Sequence, residues 1–394
     1  MYPTIYHLVL DLFGLEIPML KIMNSFGFFV ALAFISAAYF LKLELARKSN
    51  EGNIPVSYKK EKRGGLPSLH NIISTGFFGF VIGYKFIAIL LDSENSLSDP
   101  QSFLLSTKGN ALAGIAMSAI FLGLLYRAYL KEKKKYPNLV IEEVAITHKE
   151  HSWNMAVQAA IFGFAGAKLF HLIENPGQFI EFFTDFNFAN FLSGLTIYGG
   201  LILGGAGVMW YMHRHKIPLL SGADAAVPGV MLAYGVGRIG CQVSGDGDWG
   251  IDNLASKPDW MSILPDWMWS YSYPNNINGV GEAITNGTCF DGYCTQLTNP
   301  VFPTPFYETT MAVTIFLILW SLRKKITIPG VLFFAYMIFN GFERFWIEKI
   351  RVNNVFLNIG ELQMTQAEVI AVIMFIVGIG GILFLRNRSQ LTSA

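Results

Sequence analysis

Charge is what this chain has least of. Of its 394 residues only 14% are Asp, Glu, Lys or Arg, against 52% hydrophobic and 14% aromatic, and the mean hydropathy is +0.40. Soluble domains carry about 25% charged residues, so this composition excludes an ordinary soluble fold and points to an all-α polytopic membrane protein. Cysteine is scarce as well: Cys241, Cys289 and Cys294 include no zinc-like double pair, and neither a metal nor a cofactor is expected. Cys289 and Cys294 share one loop, where a disulfide is an open alternative that depends on an oxidising compartment. The first ten residues lack the basic n-region and small-residue cleavage site of a cleavable signal peptide, so the first span is expected to be retained. The net charge of +1 marks no nucleic-acid partner. In a membrane protein the placement of Lys and Arg carries the information.

A span needs about 20 largely apolar residues. On that ruler the chain, read as one transmembrane domain over 1–394, has nine spans, near 20–42, 72–92, 109–129, 153–173, 193–212, 223–243, 306–322, 329–350 and 365–385. The connections alternate in sign. Arg47, Lys48, Lys59, Lys60, Lys62 and Arg63 follow the first span, acidic Asp92 to Asp99 the second, and Lys131, Lys133, Lys134 and Lys135 the third. Acidic Glu174 to Asp185 and then basic His213-Arg-His-Lys216 come next, with both histidines expected in solvent. The long connection 244–305 has a single lysine, Lys257, and Arg323-Lys-Lys325, Arg386 and Arg388 complete the series. The positive-inside rule then places the N-terminus outside and the C-terminus in the cytoplasm, which an odd number of spans satisfies.

With this placement the polar residues inside spans fall at outer ends: Lys168, His171, Tyr198, Arg238, Glu308, Arg344, Glu348 and Arg351. An arginine inside a span costs about 2.5 to 3.5 kcal/mol on insertion scales, and Arg238 precedes a Gly-Asp-Gly-Asp turn that ends its helix. The expectation is a polar cavity opening toward the outer leaflet and holding an anionic headgroup. Arg344, Glu348 and Arg351 are spaced i, i+4 and i+7, on one helical face. They read either as an ion-pair ladder between helices or, with Arg238, as a cationic surplus whose planar forks suit phosphate. Gly204, Gly205, Gly207, Gly378, Gly380 and Gly381 read as helix packing. Tyr198, Gly199 and Gly200 read instead as a phenol and open backbone at the cavity mouth.

Four segments in order resemble the bacterial prolipoprotein diacylglyceryl transferases. They are Gly194-Leu-Thr-Ile-Tyr-Gly-Gly-Leu201, Gly235-Val-Gly-Arg-Ile-Gly240, Pro303-Thr-Pro-Phe-Tyr-Glu308, and Arg344 with Glu348 and Arg351. Gly166-Ala-Lys-Leu-Phe-His171 resembles a further family segment, and the resemblance covers 20–42 and 153–385. It implies transfer of the diacylglyceryl group of phosphatidylglycerol to the lipobox cysteine of a prolipoprotein in the bacterial inner membrane, with glycerol 1-phosphate leaving. It also implies that Arg238 and Arg344 grip the phosphate, that Arg351 and Glu348 orient them, and that Tyr198 polarises the thiol or the headgroup, either by hydrogen bonding or as a base. Gly199, Gly200, Ser244, Asp246 and Glu308 complete the implied substrate site.

The chain departs from the family pattern at several positions. Tyr198 stands for a histidine, Cys241 and Ser244 for asparagines, Asp246 for a glutamate, Phe302 for a histidine, Lys168 for an arginine and Phe26 for a tyrosine. The pair of spans at 72–129 reads as an insertion. The aromatic loop 251–301, with Trp260, Trp267, Trp269, Tyr271 and Tyr273, reads as a cap on the cavity, a guide for the protein substrate, or a surface loop resting on headgroups. Rival readings stay open. A calcium loop on Asp246, Asp248 and Asp252 is disfavoured by Gly250 and Ile251 at ligand and turn positions. Cys241 is a candidate nucleophile, and a paralogue that binds lipid without catalysis is a third reading. An anionic-solute transporter should show repeated halves with broken midplane spans, and the sequence shows neither.

Overall fold

The computed structural model describes residues 1–394 except 92–96, 98–102, 105, 178–193, 286, 291, 354, 360–361 and 394. The acidic connections expected at 92–99 and 174–185 lie largely outside the described residues.

The architecture is helical. A short α1 (Ile5–Phe13) precedes α2 (Ser25–Asn50), α3 (Leu69–Leu91), α4 (Ala111–Lys135), α5 (His148–Glu174), α6 (Ile197–Arg214), α7 (Leu219–Ser244), α8 (Thr304–Leu322), α9 (Val331–Glu348) and α10 (Gln366–Ser393). Among the described residues, seven helices are long and apolar enough to cross a membrane: α2, α3, α4, α5, α7, α8 and α10. The two other expected spans are helices of 18 residues each, α6 and α9. They are less apolar because α6 ends in His213 and Arg214 and α9 carries Glu343, Arg344 and Glu348. The protein is a multi-pass membrane protein.

Local chemistry sets the helix ends. Asn24, Ser68, Asn110 and Thr147 each accept a backbone N–H in the first turn of α2, α3, α4 and α5, satisfying donors that a helix start leaves open. Gly245, with φ 64°, closes α7 in the left-handed region, where a glycine carries no Cβ penalty.

Helix α7 lies at the centre and packs against α2 on one side and α8 on another. Val227 and Met231 of α7 form a core with Ala312, Ile315, Phe316 and Leu319 of α8 and Leu332 of α9. A second core joins Leu41 and Leu45 of α2 to Met155 of α5, Tyr211 and Met212 of α6, and Ala225 of α7. The α5–α6 crossing depends on two glycines. A Cβ on Gly199 would lie 2.3 Å from the Gly166 carbonyl oxygen, and one on Gly166 2.2 Å from that of Gly199. Gly199 is therefore a packing residue, contrary to its expected place at an open mouth. Gly205, expected to pack, has no atom within 4 Å of where its Cβ would stand.

Two basic connections meet in an antiparallel ladder, Tyr58–Arg63 (β1) on Val140–Ala145 (β2), with Tyr58 opposite Ala145 and Arg63 opposite Val140. The connections before α3 and after α4 thus lie at the same end of the bundle, as a pair of spans that returns the chain to one side requires.

The charge placement expected from sequence fails at Asp224. This buried residue lies at the end of α7 opposite Arg238. It accepts from the backbone N–H of Gly330 and Phe333 at 2.8 and 2.9 Å and faces Lys48 Nζ at 3.4 Å. Beside it Glu44, also buried, pairs with Arg47 and Arg323. His215, expected in solvent, is half-buried, its ring tilted against that of Tyr211 at 4.3 Å between centroids.

Candidate active site

Three chain segments that are remote in sequence meet where α7 ends. After Gly245 the chain turns through Asp246, Gly247 and Asp248. It is then tied to the start of α8 by Thr304 Oγ1 donating to the Asp248 carbonyl at 2.6 Å, and by Gly250 N donating to the Phe302 carbonyl at 2.9 Å. Ile251 N donates to the Ile350 carbonyl at 2.9 Å, just beyond α9. The approach is so close that a Cβ on Gly250 would stand 2.4 Å from the Ile350 oxygen. This backbone seam puts a carboxylate of the turn between two arginines.

Arg238, on the last turns of α7, pairs through Nε with Glu308 and through Nη1 with Asp248. Arg351 pairs with the same two acids, Nη1 on Glu308 Oε1 at 2.8 Å and Nη2 on Asp248 Oδ1 at 2.6 Å. Glu308 is wholly buried, and Tyr234 donates its phenol hydrogen to it. The result is a closed ring of two guanidiniums and two carboxylates. Desolvated charges of this kind are tolerated only when paired. Burial works against the Asp248 carboxylate, yet Arg238 and Arg351 outweigh it and hold its pKa below the ordinary value. Burial and the Asp248 charge push Asp246 up.

Arg344 belongs to a separate pair, its Nη2 2.9 Å from Glu348 Oε2. Glu348 Oε1 accepts from Asn353 and from Thr365 Oγ1. Helix α9 ends at Glu348, so Arg351 lies beyond it and turns to Asp248 and Glu308. The single-face ladder read from i, i+4 and i+7 spacing is therefore two pairings. The cationic surplus expected from three arginines is likewise absent among the described residues, because Asp248, Glu308 and Glu348 neutralise them.

Other expected site residues are placed differently. Ser244 is buried, and its hydroxyl donates to the Gly240 carbonyl at 2.8 Å within its own helix. Tyr198 is half-buried in the first turn of α6, a helix start joined to α5 by Thr196 N donating to the Ala167 carbonyl at 3.0 Å. No hydrogen bond joins Tyr198 to Arg238 or Arg351 among the described residues. Gly200 faces α5, where a Cβ on it would stand 3.2 Å from the Gly163 carbonyl oxygen. The Cys241 thiol donates to Asp248 Oδ2 at 3.4 Å. Cys241, Asp246 and Asp248 could converge on one ion, whereas Asp252 accepts from Asn299 elsewhere in the loop. Cys289 and Cys294 are joined as a disulfide.

Sequence reasoning missed Glu343 and gave Asp248 only a metal-binding rival. Glu343 is buried, with Oε1 3.5 Å from the Tyr234 hydroxyl. An acid immediately before Arg344 in an apolar helix was its available signal. The aromatic loop is also more closely packed than an interfacial belt. Of its five named aromatics only Trp260 is exposed. Trp267 packs on Phe306 at 5.0 Å, Trp269 on Phe302 at 5.5 Å, and the buried Tyr273 donates to Gln242 at 2.8 Å.

The match to a family model described as prolipoprotein diacylglyceryl transferase covers residues 111–384. It begins at the first residue of α4, inside the pair of spans read as an insertion. Relatives named phosphatidylglycerol–prolipoprotein diacylglyceryl transferase include one from Corynebacterium efficiens, 30% identical over 59% of this chain and 66% of the relative. One from Staphylococcus carnosus is 28% identical over 62% of this chain and 78% of the relative. One from Thermus thermophilus is 32% identical over 42% of this chain and 57% of the relative. The chain thus spans just under two thirds of the Corynebacterium relative and little more than half of the Thermus one. With the family match covering most of its length, and the arginines and Glu308 assembled at one end of its central helix, the chain belongs to the prolipoprotein diacylglyceryl transferase family.

Proposed function

We propose that this protein transfers the diacylglyceryl group of phosphatidylglycerol to the lipobox cysteine thiol of prolipoproteins, releasing glycerol 1-phosphate. The observation that carries the reading is the pairing of Arg238 and Arg351 over buried Glu308, in a chain of this family. The lipobox thiol loses its proton and the thiolate attacks the glycerol carbon that bears the phosphate ester; a C–S bond forms, the C–O bond breaks with its electron pair going to the phosphate oxygen, and the departing glycerol 1-phosphate takes up the proton. Negative charge grows on the leaving phosphate, and preorganised guanidiniums stabilise that growth without reorganising. Arg344 is the most exposed of the three arginines, at 25% of its side chain against 11% and 12%, and it serves as first contact for the headgroup.

Asp246, Glu348, Gly199, Gly200 and Ser244 shape this site through the turn and the helix crossings they hold. Tyr198 positions the incoming thiol or the headgroup by hydrogen bonding, since its phenol O–H can both donate and accept. The topology proposed with this chemistry has nine spans, an outside N-terminus and a cytoplasmic C-terminus. The arginine ring then lies in a polar cavity that opens to the outer leaflet of the bacterial inner membrane, under the aromatic loop as a cap. The residues at 72–129 form an accessory pair of spans, and the signal peptide with its lipobox enters from the bilayer.

The test is purified protein with phosphatidylglycerol and a lipobox peptide, scored by mass for addition of diacylglycerol, with Arg238→Ala in parallel. Addition that the variant abolishes supports the reading. No addition by the wild type, beside an active transferase of the family, leaves a lipid-binding relative that kept the fold.

A further inference from the structure

The two acids that close the arginine ring are not equivalent. Glu308 is wholly buried in the first turns of α8 and holds a Tyr234 hydrogen bond as well. The Asp248 side chain keeps 32% of its surface, while the guanidinium residues beside it keep 11% and 12%. Asp248 is therefore the most exposed member of the ring. It gives one oxygen to each guanidinium, Oδ2 to Arg238 and Oδ1 to Arg351. The two non-bridging oxygens of a phosphodiester can make the same span. Its main chain is held independently, by Thr304 Oγ1 on the Asp248 carbonyl, so the side chain can leave while the turn stays in place. Gly247 next to it has φ 97°, a left-handed backbone that a glycine adopts without penalty, and a Cβ there would stand 2.6 Å from Asn278 Nδ2.

We propose that Asp248 is a specificity-determining residue that occupies the phosphodiester position of the arginine pair until a lipid headgroup displaces it. The inference rests on the transferase reading above and names what that site recognises: a group with a single negative charge shared by two free oxygens. Arg238 and Arg351 against Glu308 leave one positive charge, which either the aspartate or a phosphodiester monoanion neutralises. The exchange is one anion for another, and the buried cations are never left unpaired, which would be costly. A headgroup without an anionic phosphate cannot displace the carboxylate.

The probe is glycerophosphoglycerol, the deacylated headgroup diester, titrated calorimetrically into the full chain in detergent. An arginine pair occupied by its own carboxylate about nine-tenths of the time binds an outside anion about tenfold more weakly than an open one. Asp248→Asn is therefore expected to bind the diester about tenfold tighter than wild type, and Asp252→Asn, which removes a charge elsewhere in the same loop, to bind it as wild type does. Unchanged or weaker binding by a folded Asp248→Asn overturns the proposal, since a merely structural aspartate gives that sign. Should that variant not fold, the wild type decides. Adding the diester must shift a carboxylate band in the infrared difference spectrum as an aspartate leaves two guanidiniums, and no shift overturns the proposal. Transfer to the lipobox peptide is scored separately. Tighter binding without transfer retires the transferase reading alone, and transfer without tighter binding retires this one alone.

Discussion

Replacing Arg238 by lysine keeps the charge and removes the geometry. Arg238 reaches Glu308 through Nε and Asp248 through Nη1, two edges of one planar group, and its guanidinium lies 5.3 Å over the Tyr234 ring. An ammonium is a point charge on a flexible stem, and it can replace one of these contacts but not both. A hydrogen bond to a charged group contributes about 1.5–3 kcal/mol, so Arg238→Lys loses one such amount and Arg238→Ala about twice it. Among the described residues, alanine also leaves buried Glu308 with Arg351 as its one remaining cation. If the arginine stabilises charge on the leaving phosphate, Arg238→Lys is expected to lower kcat/KM for diacylglyceryl transfer about 100-fold and Arg238→Ala more than about 1000-fold. The alanine variant should also melt at a lower temperature in detergent. The assay is initial rates of peptide lipidation against phosphatidylglycerol concentration. A lysine variant within about threefold of wild type would refute the argument that the two-edged geometry matters.

Four further outcomes are expected. Gly199→Ala should lose about 1–3 kcal/mol through its clash with the Gly166 carbonyl, whereas Gly205→Ala, with open space around it, should leave the melting temperature of the full chain unchanged. Asp224→Ala removes the acceptor of two backbone N–H groups and the partner of Lys48. A loss of about 3–5 kcal/mol is expected from breaking this buried pair, read as thermal unfolding. Cys289→Ser with Cys294→Ser opens a loop whose cysteines are five residues apart; a destabilisation of about 2 kcal/mol should show as faster proteolysis within 251–301. The folded-state pKa of Asp248 lies below its ordinary value of 3.8, so the stability it contributes is present above that value and is lost as pH falls through the folded one. The stability gap between wild type and Asp248→Asn should accordingly hold at neutral pH and close in strong acid; a gap that persists there contradicts the ion pairs with Arg238 and Arg351.

Helices and their ends were largely legible because their causes are local. Apolar runs marked the expected spans, and Asn24, Ser68, Asn110 and Thr147 cap helices through bonds only a few residues long. The Gly-Asp turn after Arg238 ends α7 as its composition requires. The site was legible in part. Arg238, Glu308 and Arg351 stand together, yet Asp248 entered only as a rival calcium ligand and Glu343 passed as a helix residue. Nothing in a one-dimensional pattern says which acid faces which arginine. Gly199 and Gly205 show the same gap, since two glycines on one helix differ only in what lies opposite them.

The sequence by itself determined the membrane class, the helical periodicity, the alternation of basic connections and the presence of arginines that apolar helices would not otherwise carry. These follow from residue chemistry summed over short windows. Only the tertiary structure decided that Arg351 turns from its helical register to share two acids with Arg238. Asp248 Oδ1 and Arg351 Nη2 are 2.6 Å apart across a separation of 103 residues. Contacts at that separation depend on how α7, α8 and α9 pack, and packing is set by the shapes of whole helices together, which no window of sequence contains.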